Sequence, residues 1–244
     1  MIRLSHLSKT YGHQRAVSDI TLSVGKGEIF GFIGPNGAGK TTTIKMMSGL
    51  MSPTSGTVHI NNIDMAKAPE AAKRHIGLIP DRPYLYEKLT GMEFMAFTSE
   101  LYDVSDADFH DRAVSLLKKF SILDHAHHLI ESYSHGMKQR LIMAAALLHT
   151  PSLLIVDEPM VGLDPRGIRM VRDLFKSLVA DGMTIFMSTH TLNLAEDVCS
   201  RIGIINDGRL VATGTIAELK QAARMGEGNL EAIFFQLTEE ITHL

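Results

Sequence analysis

The chain has 244 residues, with one cysteine, no tryptophan and only 6% aromatic residues. A single cysteine, Cys199, excludes an internal disulfide and fits a reducing compartment. It follows Glu196-Asp197-Val198 in a helical pattern, where a packed thiol is expected rather than a reactive one. No run of about 18 uncharged apolar residues occurs, so the sequence predicts no membrane span. An apolar leader is lacking too, since Met1-Ile2-Arg3-Leu4-Ser5-His6 opens directly in strand-like alternation. Positive charge is not in surplus: the formal net charge is −3, which gives no basic footprint for nucleic acid. These absences predict a cytoplasmic protein that meets a membrane only through a partner. What is present is a hydrophobic content of 45%, enough for a sizeable core, and an ordinary 21% of charged residues. The length admits one large domain or one domain carrying an inserted piece.

One stretch organises the chain. Gly34-Pro35-Asn36-Gly37-Ala38-Gly39-Lys40-Thr41-Thr42 matches the phosphate-binding pattern G-x-x-x-x-G-K-[ST] in full. Ile29-Phe30-Gly31-Phe32-Ile33 before it reads as a buried strand, and the residues from Thr42 to the stop at Gly49 read as a helix. Gly34, Gly37 and Gly39 let the backbone turn tightly and aim successive N–H groups inward, forming an anion nest. The helix N-terminus adds its dipole at the same point. Lys40 brings a positive charge to the terminal phosphates, and the Thr41 hydroxyl can ligate Mg²⁺. This is the pattern of a nucleoside triphosphate site.

Residues 2–8 and 17–24 alternate as half-exposed strands do, with Lys9-Thr10-Tyr11-Gly12 as the loop between them. Tyr11 reads either as a turn residue with a packed ring or as a flat face for a nucleotide base, with Val17 as an apolar wall beside it. Residues 57–60 and 75–79 read as further strands. From Thr90 to about His149 the pattern is helical, which predicts a helical insertion in an α/β core. His125, His127 and His128 within it have no cysteine or acidic pair to complete a metal set and read as a solvated loop. Leu153-Leu154-Ile155-Val156 is a buried strand that delivers Asp157 and Glu158 to a sheet edge. Asp157 is placed to hold the Mg²⁺ shell, and Glu158 to orient or deprotonate a water. His190, after the strand Thr184–Thr189, falls on the same edge, where it can sense or polarise the γ-phosphate. Ile202–Ile205 and Arg209–Ala212 flank Asn206-Asp207-Gly208, a strong hairpin signal. Residues 216–225 and 230–237 read as terminal helices.

In this order, an N-terminal aromatic, the phosphate loop, a helical insert, an acidic strand and a terminal histidine, the chain resembles the nucleotide-binding subunit of an ATP-binding cassette (ABC) transporter. The segment Tyr133-Ser134-His135-Gly136-Met137 is similar to the family signature L-S-G-G-Q, keeping Ser134 and Gly136 but placing His135 and Met137 where the family has glycine and glutamine. Gly162-Leu163-Asp164-Pro165 resembles the family's Asp loop, and by local chemistry is also a helix-starting turn. Ser134 likewise suits the N-cap of a helix over Met137–Ala144. Asp81 stands where the family usually has a glutamine contacting Mg²⁺ and the attacking water.

The resemblance implies an α/β phosphate-loop NTPase core with a mostly parallel sheet, an N-terminal antiparallel β subdomain and an inserted α-helical subdomain. It implies a single ABC ATPase domain over 1–244, with core residues 1–81 and 150–244 and a helical subdomain at 82–149. It makes Tyr11 the adenine platform and gives Ser134, Gly136 and Asp164 roles towards ATP held by a second subunit. ATP and Mg²⁺ are the implied cofactors, with Thr41, Asp81 and Asp157 at the metal and Glu158 and His190 at the chemistry. The implied partners are integral membrane permease subunits and a second cassette, either an identical copy or a related chain, on the cytoplasmic face of the membrane. The stretch Tyr84-Leu85-Tyr86-Glu87-Lys88-Leu89-Thr90-Gly91 and the terminal Leu230-Glu231-Ala232-Ile233-Phe234 resemble the bacterial exporter branch with separate membrane subunits. A soluble ABC protein of translation or DNA maintenance would carry two cassettes or a long coiled-coil insert. A GTPase would want Asn-Lys-x-Asp, for which Asn61-Asn62-Ile63-Asp64 lacks the lysine.

Overall fold

A computed structural model describes residues 1–82, 84–160, 163–225 and 228–242. Two sheets share the chain. Strands β1 (Ile2–Tyr11), β2 (Gln14–Val24), β4 (Ser55–Ile60) and β5 (Ile63–Asp64) form an antiparallel sheet in the order β2-β1-β4-β5. The second sheet has six strands: β3 (Ile29–Ile33), β6 (Ile76–Ile79), β7 (Leu153–Asp157), β8 (Thr184–Thr189), β9 (Arg201–Asn206) and β10 (Arg209–Gly214). Their order is β10-β9-β3-β8-β7-β6, parallel throughout except for the β9–β10 hairpin. The expected α/β fold, with a mostly parallel sheet and an N-terminal antiparallel one, is therefore observed.

The residue types explain this division. β3, β7 and β8 are buried along their whole length, as strands covered on both faces are. Phe186 of β8 stacks on Phe30 of β3 at 5.7 Å between ring centroids, with Phe32 at 5.4 Å. β1 and β2 instead bury alternate residues, Ile2, Leu4, Leu7 and Ile20, Leu22, Val24 among them. The alternation slips where the β1–β2 register shifts, close to His6 and Asp19, both in left-handed backbone. The same hairpin corrects the expectation of a loop at 9–12: both strands run on to a turn at Gly12 and His13, so Tyr11 ends a strand.

Helix α1 (Lys40–Met47) follows the phosphate loop and starts inside the motif, two residues earlier than the apolar spacing suggested, because Gly39 at φ +105° ends the loop. Gly49, at φ +67°, stops it. The short helix α2 (Pro69–Lys73) precedes β6. Between β6 and β7 come α3 (Gly91–Leu101), α4 (Asp106–Lys119), two single 3₁₀ turns and α5 (His135–Leu147). The only extended pairing there among the described residues is an isolated bridge from Thr90 to Leu129. Helices α6 (Pro165–Ala180), α7 (Leu192–Val198), α8 (Ile216–Ala222) and α9 (Leu230–Thr242) complete the chain.

Cys199 lies one residue beyond α7, not within a helix. Its sulfur sits so close to Gly31 of β3 that a Cβ there would fall 2.7 Å from it. Burial pushes this thiol up to about 12, so it is a packed group. No described helix is long and apolar enough to cross a membrane.

Candidate nucleotide site

Where β3 ends, the chain turns through Gly34–Gly39 into α1. A Cβ on Gly34 would stand 2.3 Å from the Ile205 carbonyl of β9, so only glycine fits this approach. The β9–β10 turn braces the loop from the side: the Gly208 amide donates to the Ala38 carbonyl at 3.0 Å. Lys40 is buried, and its Nζ donates to the carbonyls of Gly34 at 2.7 Å and Pro35 at 3.1 Å. Desolvation lowers its pKa from the usual lysine range, against the pull of the Glu158 and Asp157 carboxylates.

The adjoining strands bring the acids to this loop. The Thr41 hydroxyl donates to Asp157 Oδ2 at 2.9 Å. Asp157 is itself buried, and its other oxygen, Oδ1, accepts from the Ser188 hydroxyl in a short contact. Glu158 takes left-handed backbone at φ +52°, strained for a side chain of this kind, and so turns away from the line of β7. Its Oε1 meets His190 Nδ1 at 2.8 Å, and its Oε2 accepts from Thr189 Oγ1 at 3.2 Å. A cavity of about 210 Å³ opens onto Gly37, Lys40, Thr41, Asp81 and Glu158, with Asn36, Gly39, Thr42 and Ala16 also lining it.

Most residues named from the sequence thus converge, and some do not. Pro35 and Ala38 shape the loop without lining the cavity. Val17 is a correction: it is fully buried in the core, and its neighbour Ala16 faces the cavity in its place. Tyr11 does not line the cavity; its hydroxyl lies 2.9 Å from the Met51 sulfur, and Lys9 Nζ lies 5.5 Å from its ring centroid. Ser134 caps α5, its hydroxyl accepting from the Met137 amide at 3.3 Å. A Cβ on Gly136 would meet no atom within 4 Å. Asp164 caps α6 through the Gly167 amide at 2.8 Å, while Gly162, in the same motif, falls outside the described residues. Ser134, Gly136 and Asp164 all lie apart from the phosphate cavity. Ser188, Thr189 and Ala16 were not singled out from the sequence. Two hydroxyl residues directly before His190, on a strand beside the acidic one, were the available signal.

The donor set suits a hard cation. Thr41, Asp157 and Asp81 offer oxygen only, and Mg²⁺ at a phosphate site needs one or two carboxylates besides the substrate's own oxygens. No group of three or more His, Cys, Asp or Glu residues disposed to hold a metal occurs among the described residues, the His125 and His128 pair included.

A second, larger cavity of about 650 Å³ shares Asp81 with the first and runs between Arg82, Tyr84, Glu87 and Lys88 and the start of α5 at His135, Lys138 and Gln139. Tyr84 and Tyr86 stand exposed beside it, edge to face with each other and, through Tyr86, with Phe97.

Comparison with known proteins agrees with this geometry. The family model described as ABC transporter matches residues 17–161, more than half of the chain. The linearmycin resistance ATP-binding protein of Bacillus subtilis strain 168 is 38% identical over 226 residues, covering 93% of this chain and 72% of that protein. A solved ATP-binding subunit of an ABC transporter superposes with a TM-score of 0.92 at 35% identity, covering 98% of this chain and 99% of the other. A dimeric ATP-binding cassette in a post-hydrolysis state, bound to ADP and Pi, gives a TM-score of 0.81 at 28% identity over 88% of this chain and 99% of that one. A loop that cradles phosphates beside two positioned acids, in a chain that aligns along nearly its whole length with such proteins, leads to one conclusion: the chain belongs to the ABC transporter family, as an ATP-binding and ATP-hydrolysing subunit.

Proposed function

We propose that this chain is a peripheral subunit on the cytoplasmic face of a membrane, driving export through separate permease subunits. In this reading two cassettes close around two ATP molecules. The phosphate loop of one and the α5 start of the other, at Ser134 and Gly136, share each nucleotide. A ligand with contacts in both subunits favours the closed pair, so ATP binding shifts the population towards it. The resistance function in the name of the Bacillus subtilis relative and the dimeric state of the post-hydrolysis cassette support export and pairing respectively. The partner is a second copy of this chain or a related one.

The chemistry follows from the site residues. Lys40 exchanges the Gly34 and Pro35 carbonyls for phosphate oxygens, and the loop amides hold the rest of the charge. Thr41, Asp157 and Asp81 would hold Mg²⁺, which when bound would supply charge neutralisation at the phosphate oxygens. Glu158 accepts the proton of the water that attacks the γ-phosphorus as ADP leaves, and His190 fixes the carboxylate from its other side. The Glu158–His190 contact at 2.8 Å beside the phosphate cavity is the observation that carries this mechanism.

Residues 82–149, outside the nucleotide-holding core of 1–81 and 150–244, form the subdomain that receives the permease in this reading. The exposed rings of Tyr84, Tyr86 and Phe97 fit a docking patch, whereas Leu85 is buried and belongs to the core. Purification of the tagged chain from detergent-solubilised membranes of its native cell tests the reading. Recovery of an integral membrane protein with about six spanning helices is the expected result. Recovery of ribosomes or DNA in its place, with ATPase activity intact, would overturn it.

A further inference from the structure

The two acids of the site are oriented by residues with no role assigned so far. Ser188 and Thr189 end β8, and both are buried, at 0% and 1% exposure. Ser188 lies directly beside Asp157 in the parallel register. Its hydroxyl donates to Asp157 Oδ1, while its carbonyl accepts from the Glu158 amide at 3.1 Å. Thr189 Oγ1 accepts from the Thr191 amide at 3.0 Å, which leaves its own proton for Glu158 Oε2 at 3.2 Å. Thr41 on Asp157 Oδ2 and His190 on Glu158 Oε1 complete the set. Each of the four carboxylate oxygens therefore has its own partner, and two of the four partners are these hydroxyls.

The division of labour is built into the strand. Ser188 reaches the acid with the metal role, Thr189 the acid with the base role. Glu158 sits in a left-handed backbone that local sterics disfavour, so contacts to its amide and its carboxylate are needed to hold that turn. Both contacts come from β8, through the Ser188 carbonyl and the Thr189 hydroxyl. We propose that Ser188 and Thr189 are separate positioning residues, Ser188 setting Asp157 for the metal-bound nucleotide and Thr189 setting Glu158 for the chemical step. The inference rests on the roles proposed above for Asp157 and Glu158.

The test uses the full chain and two readouts: affinity for a fluorescent ATP analogue with Mg²⁺ and with EDTA, and steady-state hydrolysis. Ser188→Ala is expected to weaken Mg²⁺-dependent binding roughly tenfold or more, the usual effect of removing a partner of a metal ligand, with affinity in EDTA unchanged. Thr189→Val, which keeps the shape, is expected to lower kcat roughly tenfold, with KM and binding unchanged, and Thr189→Ser to restore it. Ser188→Cys keeps the volume if the alanine variant does not fold. Equal losses of kcat and affinity in both variants, or no loss in either, would overturn the proposal. Asp157→Asn separates the two levels. If it abolishes the Mg²⁺-dependent gain in affinity while Ser188→Ala keeps that gain, the Ser188 role alone fails. If Asp157→Asn leaves the gain intact, the metal role of Asp157 fails and the Ser188 role with it.

Discussion

Asp81 separates two regions built on opposite plans. On its phosphate side the carboxylates are held, Asp157 and Glu158 at every oxygen. On its other side, aromatic rings stand in solvent, Lys88–Glu131 is an exposed ion pair, and Lys138–Glu87 joins a half-buried lysine to an exposed glutamate. There the buried Gln139 also has a side-chain oxygen with no hydrogen-bond partner among the described residues. Groups fixed before the reaction cost no reorganisation during it, which is what catalysis rewards. A surface that exchanges partners gains from weak, screened contacts that reform easily. In the proposed reading, this contrast puts chemistry and docking on either side of one carboxylate.

That contrast can be broken from each side. The largest effect is expected from Glu158→Gln, which removes the base and leaves the cavity's shape. Hydrolysis should fall by about 10²–10⁴-fold, with ATP still bound. Sedimentation of this variant with ATP should show a dimer, and a stable monomer would count against self-pairing. Next, replacing Tyr84 and Tyr86 together by alanine should abolish co-purification with membrane protein while basal ATPase activity stays within about twofold, because exposed rings contribute little to the fold. Loss of basal activity in that variant would merge the two regions into one. Asp81→Gln, at the boundary, should shift the Mg²⁺ concentration for half-maximal hydrolysis a few-fold, about the size of one altered ligand contact. An unchanged Mg²⁺ titration would remove Asp81 from the metal.

A last effect, on stability and not on activity, concerns how the helical stretch is fastened to the sheet. His149, after α5, stacks on Tyr102 with centroids 3.7 Å apart, and its Nε2 lies 3.0 Å from the Ile76 carbonyl of β6. Desolvation lowers this imidazole to about 4 from an ordinary 6.5. Protonation therefore favours the unfolded chain. The stability is complete above pH 6.5 and is lost as the pH falls from there towards 4, by at most about 1.4 kcal/mol per unit. Urea midpoints at pH 7 and pH 4.5 should converge in His149→Asn relative to the unsubstituted protein. An unaltered gap would mean that other groups set the acid sensitivity.

What could be read from the chain divides along physical lines. Apolar runs announced β3 and β7, because strands buried on both faces have no polar side to confuse the pattern. Asn206-Asp207-Gly208 announced its hairpin through left-handed backbone at Asp207 and Gly208. The phosphate loop, both acids and His190 were legible because their chemistry dictates their spacing. β5 and α2 were not legible, since two and five residues carry no period. Val17 was read as facing the site, where its neighbour Ala16 stands instead. In a strand whose register shifts, which of two neighbours points inward depends on bulges that local sequence does not reveal. Ser188 and Thr189 escaped notice for another reason: a hydroxyl at a strand end is ordinary until the carboxylate it meets, more than thirty residues away in the chain, is folded beside it.

The brace on the phosphate loop sets an order of assembly. Gly34 rests against Ile205, and Ala38 is bonded to Gly208, so the phosphate loop is completed by a hairpin that is translated long after it. β3 itself lies between β8 and β9, both of which also emerge late. A ribosome-bound fragment ending before the hairpin carries the whole phosphate-binding motif without its scaffold. Nucleotide capture is thus tied to synthesis of the β9–β10 hairpin, and a fragment that stops short of it has little means of competing for ATP.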